Sequence, residues 1–208
     1  MTIALPEIGE LDMESVLENS YKDFHCKGFD YICLKRSPEY TLKAYFFEGD
    51  AQDASEVVNP HDHRYDFRTT CLSGEVTNKW FRVPPRWEGQ STGDKHGSMY
   101  NVFHYTTPLN GGSGFDLQGL VPLQIYQTRS VGRGGSYFMG FSEFHTIQIT
   151  KPDTVLLLEQ YTDEVPVGQP TLTFTQSAEP PNLSGLYNKF TADQAVKRIQ
   201  QLHELDKP

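Results

Sequence analysis

The sequence predicts a mainly β protein, an antiparallel barrel carrying one short helix at each end. Three observations predict it. Short aromatic and β-branched runs broken by Gly, Pro, Asn and Asp fill the chain from residue 29 to about 175. Helical periodicity is confined to the two ends. With 13 Phe and 11 Tyr in 208 residues, the chain has the apolar mass for one good core.

Taken in order, Met13, Val16, Leu17, Tyr21 and Phe24 recur at three- and four-residue intervals, predicting a helix over 12–24 with Gly28 as its stop. Strands are expected near 29–36, 40–48, 64–73, 76–83, 98–106, 123–131, 135–141, 145–150, 154–161 and 171–175. Ser37-Pro38-Glu39 and Ser73-Gly74-Glu75 read as hairpin turns, because Pro presets φ and Gly accepts a positive one. Pro84 to Gly97 and Pro108 to Gly119, the latter with Asn110-Gly111-Gly112-Ser113-Gly114, read as loops of a length common in lids and binding loops. After Pro180-Pro181, Thr191 with Gln194 forms a capping-box signal before Ala195, Ile199 and Leu202, predicting a closing helix. The chain divides into a helical extension (1–28), a barrel (29–176) and a tail with a helix (177–208), one domain overall.

The formal charge of −9 argues against a nucleic-acid partner, since tracking phosphates needs clustered Lys and Arg. No run of 18 apolar residues is present, and Met1-Thr2-Ile3-Ala4-Leu5-Pro6 lacks the charged-then-apolar layout of a secretory signal. Cys26, Cys33 and Cys71 are an odd number without metal-type spacing, which suits reduced thiols. A cytoplasmic protein without a membrane partner is expected. Exposed barrel edges can pair, so a homodimer is an admissible assembly.

The chemistry lies in Pro60-His61-Asp62-His63-Arg64-Tyr65-Asp66-Phe67. Alternate side chains of an extended strand share a face, so His61 and His63 point the same way as a ready two-nitrogen chelate. A third imidazole from a neighbouring strand would complete a facial triad with open positions. His145 is the best candidate, and His104 in Val102-Phe103-His104-Tyr105 is its rival. Asp62 has the opposite parity, and Asp66 turns inward only if the strand bulges. A buried histidine is usually just a satisfied polar group, an account that fits His-x-His on a strand less well. The same alternation puts Tyr65, Phe67, Thr69, Cys71 and Ser73 on the metal side, giving the cavity an aromatic wall. Cys71 is expected to be a core thiol. Arg82 and Arg129 are candidates to clamp a substrate carboxylate with paired hydrogen bonds, while Arg64 and Arg68 share the outward parity of Asp62. Trp80 and Trp87 have two places open to them, a cap on the barrel mouth or the ordinary core.

Over roughly residues 40 to 162 this pattern resembles the cupin superfamily. Its first motif has His-x-His, a carboxylate, and a turn glycine six residues later; here Gly74 falls on the glycine and Phe67 on the usual glutamate. In its second motif Gly134 and His145 match, while Gly140 replaces the proline and Ser142 the second glycine. No glycine stands six residues before His61, and Ile149 occupies the usual asparagine position. The resemblance implies a cupin-type double-stranded β-helix, or jelly-roll barrel, holding one divalent metal ion, with iron(II) expected. Loss of the glutamate implies a three-histidine set, which resembles thiol dioxygenases such as cysteine dioxygenase and gentisate-type ring-cleaving dioxygenases. The implied function is a non-haem iron(II) dioxygenase whose partners are dioxygen and a small anionic or chelating organic substrate. Tyr161 follows His145 at nearly the spacing of the active-site tyrosine of cysteine dioxygenase, which makes it a catalytic candidate, with a plain core tyrosine as the alternative. The alternative is a non-redox cupin, an isomerase, lyase or small-molecule-binding module using zinc, nickel or manganese. A 2-oxoglutarate-dependent hydroxylase of the Jumonji type shares the barrel but normally places a carboxylate where His63 stands.

Overall fold

The computed structural model describes residues 5–24, 29–48, 59–85, 97–182 and 187–205. Gly28, Cys26, Trp87 and nearly all of the 84–97 segment lie outside the described residues.

Ten strands form two five-stranded antiparallel sheets: β1 (Phe29–Arg36), β2 (Thr41–Phe47), β3 (Tyr65–Ser73), β4 (Glu75–Arg82), β5 (Ser98–Thr106), β6 (Gly114–Gly132), β7 (Ser136–Met139), β8 (Phe144–Ile149), β9 (Thr154–Asp163) and β10 (Thr171–Thr175). One sheet runs β1-β2-β9-β3-β7 and the other β10-β5-β6-β4-β8. This is the expected mainly β, two-sheet jelly-roll architecture, curled into a half-barrel. Residues 60–62 extend the second sheet's pairing from β8 back to β10. His61 and His145 exchange both backbone hydrogen bonds at 3.0 Å, and Phe174 N–H donates to the Pro60 carbonyl at 2.8 Å.

Period-two alternation sorts the first sheet's side chains. Leu42, Ala44 and Phe46 of β2, with Val155 and Leu157 of β9, face outward and are covered by α1 (Met13–Asn19) and α2 (Ala192–Leu205). Their inward neighbours Phe47, Leu156 and Leu158 join Phe67, Val76, Trp80 and Met139 between the sheets. Gly74 makes the β3–β4 turn at φ +69, where a Cβ would stand 2.2 Å from Thr154 Oγ1. Only glycine fits there. The helix α2 carries the Thr191–Gln194 capping box in both directions.

Two expectations are corrected. The first helix ends at Asn19 rather than Phe24, because Ser20 is extended and Tyr21 exchanges backbone hydrogen bonds with Tyr31. The stretch from Pro108 to Gly119 is not a long loop: after one turn of 3-10 helix over Pro108–Asn110, β6 begins at Gly114 and pairs with β5 through Gly119. Of the two places open to Trp80, it takes the core: it is 4% exposed and packs between the sheets.

Candidate metal centre

The segment leading into β3 carries His61 and His63, and β8 carries His145. Backbone bonds fix all three positions: His61 pairs with His145, and His63 N–H donates to the Phe141 carbonyl at 3.0 Å. The ring centroids stand 4.8 Å (His61–His63), 4.9 Å (His61–His145) and 5.0 Å (His63–His145) apart. One nitrogen from each lies within 4.8 Å of the others. His63 Nε2 and His145 Nε2 are 2.8 Å apart. Two imidazoles bound at about 2.0–2.1 Å to a common ion, at roughly right angles, would hold their nitrogens about 3 Å apart.

The outer nitrogens decide which atoms face inward. His61 Nδ1 lies 2.9 Å from the Asn59 carbonyl and His145 Nδ1 lies 2.8 Å from Asn78 Oδ1. Both acceptors require an N–H on Nδ1, so Nε2 carries the lone pair. Burial pushes His145 well below the ordinary histidine value, and His61 as a neighbour adds to the effect. Burial also lowers His61, against a smaller upward pull from Asn59. Both rings are therefore neutral bases at physiological pH, as metal ligation needs. The donor set fits a borderline divalent ion such as iron(II) or zinc.

The three rings sit in the wall of a cavity of about 650 Å3. Phe67, fully buried, packs edge-on against His63 at 4.7 Å. Tyr65 lies 5.7 Å from the His63 ring and 6.2 Å from that of Phe67. Tyr21, Phe24, Tyr31 and Tyr187 form a contiguous aromatic wall, with Phe24 and Tyr31 stacked at 4.7 Å and Tyr21 and Tyr187 edge-on at 5.9 Å.

Tyr65 and Phe67 thus line the cavity as expected from their alternation, and Thr69 lines it with them. Cys71 has the right parity but lies beyond the cavity floor, fully buried among core side chains, with Sγ 3.1 Å from the Ser73 carbonyl. Burial pushes its thiol up to about 11. His104 is not near the triad: its β5 neighbours Phe103 and Tyr105 point inward, so His104 points away. Tyr161 shares the outward parity of Leu157 and Glu159 on β9, is 37% exposed and stacks on Phe138. Arg82 is exposed at the end of β4 with its guanidinium 5.6 Å from the Tyr126 ring. Arg129 lies in a stretch of β6, Ile125 to Ser130, that is exposed on both parities. Neither arginine lines the cavity. Asp66 stays out of the triad by accepting from Phe141 N–H at 2.7 Å. Asp62 accepts from Leu172 N–H at 2.6 Å, tying the ligand segment to β10.

Sequence reasoning missed Lys43. It is 4% exposed on the cavity face of β2, with Nζ 2.8 Å from both Tyr65 Oη and Gln160 Oε1. A lysine between Leu42 and Ala44 in an otherwise apolar strand was the available signal. Burial works against its charge, and the phenols of Tyr45 and Tyr65 outweigh it, so the ammonium is pushed above its ordinary value.

Two curled antiparallel sheets with three inward imidazoles define a β-barrel protein with a candidate metal centre. Among solved structures the chain is similar to KdgF from Halomonas sp. (14% identity over 66% of this chain and 82% of that one, TM-score 0.37). It is similar to an RmlC-like cupin from Shewanella frigidimarina (12%, 70% and 86%, TM-score 0.37). It is also similar to hydroxypropylphosphonic acid epoxidase from S. wedmorenis (16%, 70% and 56%, TM-score 0.36), of whose length it spans little more than half. Neither the family models nor the curated proteins contain a match to this chain.

Proposed function

We propose that the protein is a non-haem iron(II) oxygenase of the dioxygenase type, acting on a small organic molecule with an anionic or chelating head group. The observation that carries this reading is the convergence of three imidazoles, two of them held neutral by burial, on one point of an aromatic-walled cavity. Bound iron(II) would supply adjacent positions for substrate and dioxygen and a route for electrons between them.

The chain's own residues do the rest. The Asn59 carbonyl and Asn78 hold the His61 and His145 rings with Nε2 inward. Phe67 packs against the His63 ring and gives the cavity an apolar wall beside it. The tyrosine and phenylalanine walls favour a substrate with a flat or apolar body. The thiol-dioxygenase form of this reading, a cytoplasmic location and a homodimer belong to the same proposal. Among the described residues no helix is long and apolar enough to cross a membrane, and Cys33 and Cys71 are free thiols.

A non-redox zinc site is the second reading, because three imidazoles with fixed outer nitrogens also suit that ion. Protein prepared without air is assayed for metal, then for oxygen uptake with thiols, phenols and keto acids. Iron with substrate-dependent uptake is the expected result. Zinc, nickel or manganese without uptake selects the second reading, and protein that binds no transition metal refutes both.

A further inference from the structure

Lys43 is a buried cation on the wall of the same cavity. Arg198 of α2 has Asp30 and Glu48, and Arg64 has Asp163. For Lys43, no carboxylate lies within ion-pair distance among the described residues. Its partners are neutral: Tyr65 Oη and Gln160 Oε1, each at 2.8 Å, and the faces of Tyr65, Tyr31 and Tyr45 at 4.6, 5.6 and 5.8 Å. A buried ammonium without a counter-ion is costly to keep. Lys43 lines the cavity, so an anion entering there would supply the counter-ion.

The phenol of Tyr65 links Lys43 to the histidines. Its oxygen accepts from Lys43 Nζ, so its single proton is left to donate onward. The same ring lies 5.7 Å from the His63 ring. Lys43, Tyr65 and the triad therefore stand in sequence along one wall, a cation and a phenol donor on one side and three imidazoles on the other.

The geometry points to Lys43 and Tyr65 as the seat of the substrate's oxyanion head, a carboxylate or phosphonate, with the substrate's body directed along the aromatic wall toward the three histidines. The direction of the body rests on the metal-dependent reading, whereas the anion seat stands on Lys43 alone. This role replaces the one expected of Arg82 and Arg129, neither of which lines the cavity.

The test is calorimetric titration of the full-length protein with benzoate, phenylphosphonate and neutral benzamide. At least one anion binds, and the stronger of the two identifies the head group. Lys43→Met weakens that anion by about ten-fold or more, the range for losing a hydrogen bond to a charged group, and leaves benzamide unchanged. Tyr65→Phe weakens it less, and Lys43→Arg restores part of the loss. Thermal melts confirm that each variant is folded; should Lys43→Met not fold, Tyr65→Phe and Lys43→Arg carry the comparison. Anion binding equal in wild type and variants, or no binding of either anion by wild type, overturns the inference. Cobalt(II) titration reports the histidines separately: lysine-dependent anion binding without metal uptake leaves this inference standing and removes the metal reading.

Discussion

The amide oxygen of Asn78 lies 2.8 Å from His145 Nδ1 at a position with no exposure to solvent. Without that acceptor the ring is free to put its proton on Nε2, the nitrogen that faces His63. Asn78→Ala therefore weakens metal binding about 10- to 100-fold, the usual cost of removing the partner of a ligating histidine. Asn78→Asp, which keeps an acceptor, retains most of the affinity. Competition for zinc against a chromophoric chelator measures both. Residues of this kind are hard to read from sequence, since Asn78 is one polar residue in a strand of mixed character. His61 and His63 were legible because their alternation is local. Tyr161 was not, because one position decides which side a β9 residue faces, and it is Gln160 that reaches the cavity.

At the scale of elements, most strands were legible from aromatic and β-branched runs, and the first half of β6 was not. Its glycine-rich start reads as a loop, and Leu117 and Leu120 are half or more exposed, so neither burial nor alternation marks the pairing with β5. The first helix was overextended for a different reason. Tyr21 and Phe24 keep helical spacing but serve the cavity wall, where contacts with Tyr31 outweigh one more helical turn. The second helix follows its pattern: Ala195, Ile199 and Leu202 are at most 1% exposed against the outer face of the first sheet. Leu202→Ala should cost about 2–5 kcal/mol by loss of burial and the cavity left behind. Chemical denaturation reads the cost. Cobalt(II) affinity should not move, because the sheet's inner side chains separate this face from the histidines.

For the whole molecule, the triad is a joint as well as a site. His63 enters β3 of the first sheet, His145 belongs to β8 of the second, and His61 closes the second sheet between β8 and β10. An ion held by all three ties the two sheets at the cavity, and unfolding must release it. Binding that is specific to the folded state stabilises it by about 2.7 kcal/mol at free metal one hundred times Kd. For a chain of this size each kcal/mol is worth roughly 2–4 °C, so Tm should rise by about 5 to 11 °C. Adding a chelator should reverse the rise in full. His63→Ala should remove it, because two imidazoles 4.9 Å apart at the ring centroids make a far weaker site than three, while far-UV circular dichroism still reports the β-sheets. A variant that retains the full metal-dependent shift would show that the joint is made elsewhere. A variant that unfolds outright would show that His63 packs the barrel rather than binding the ion.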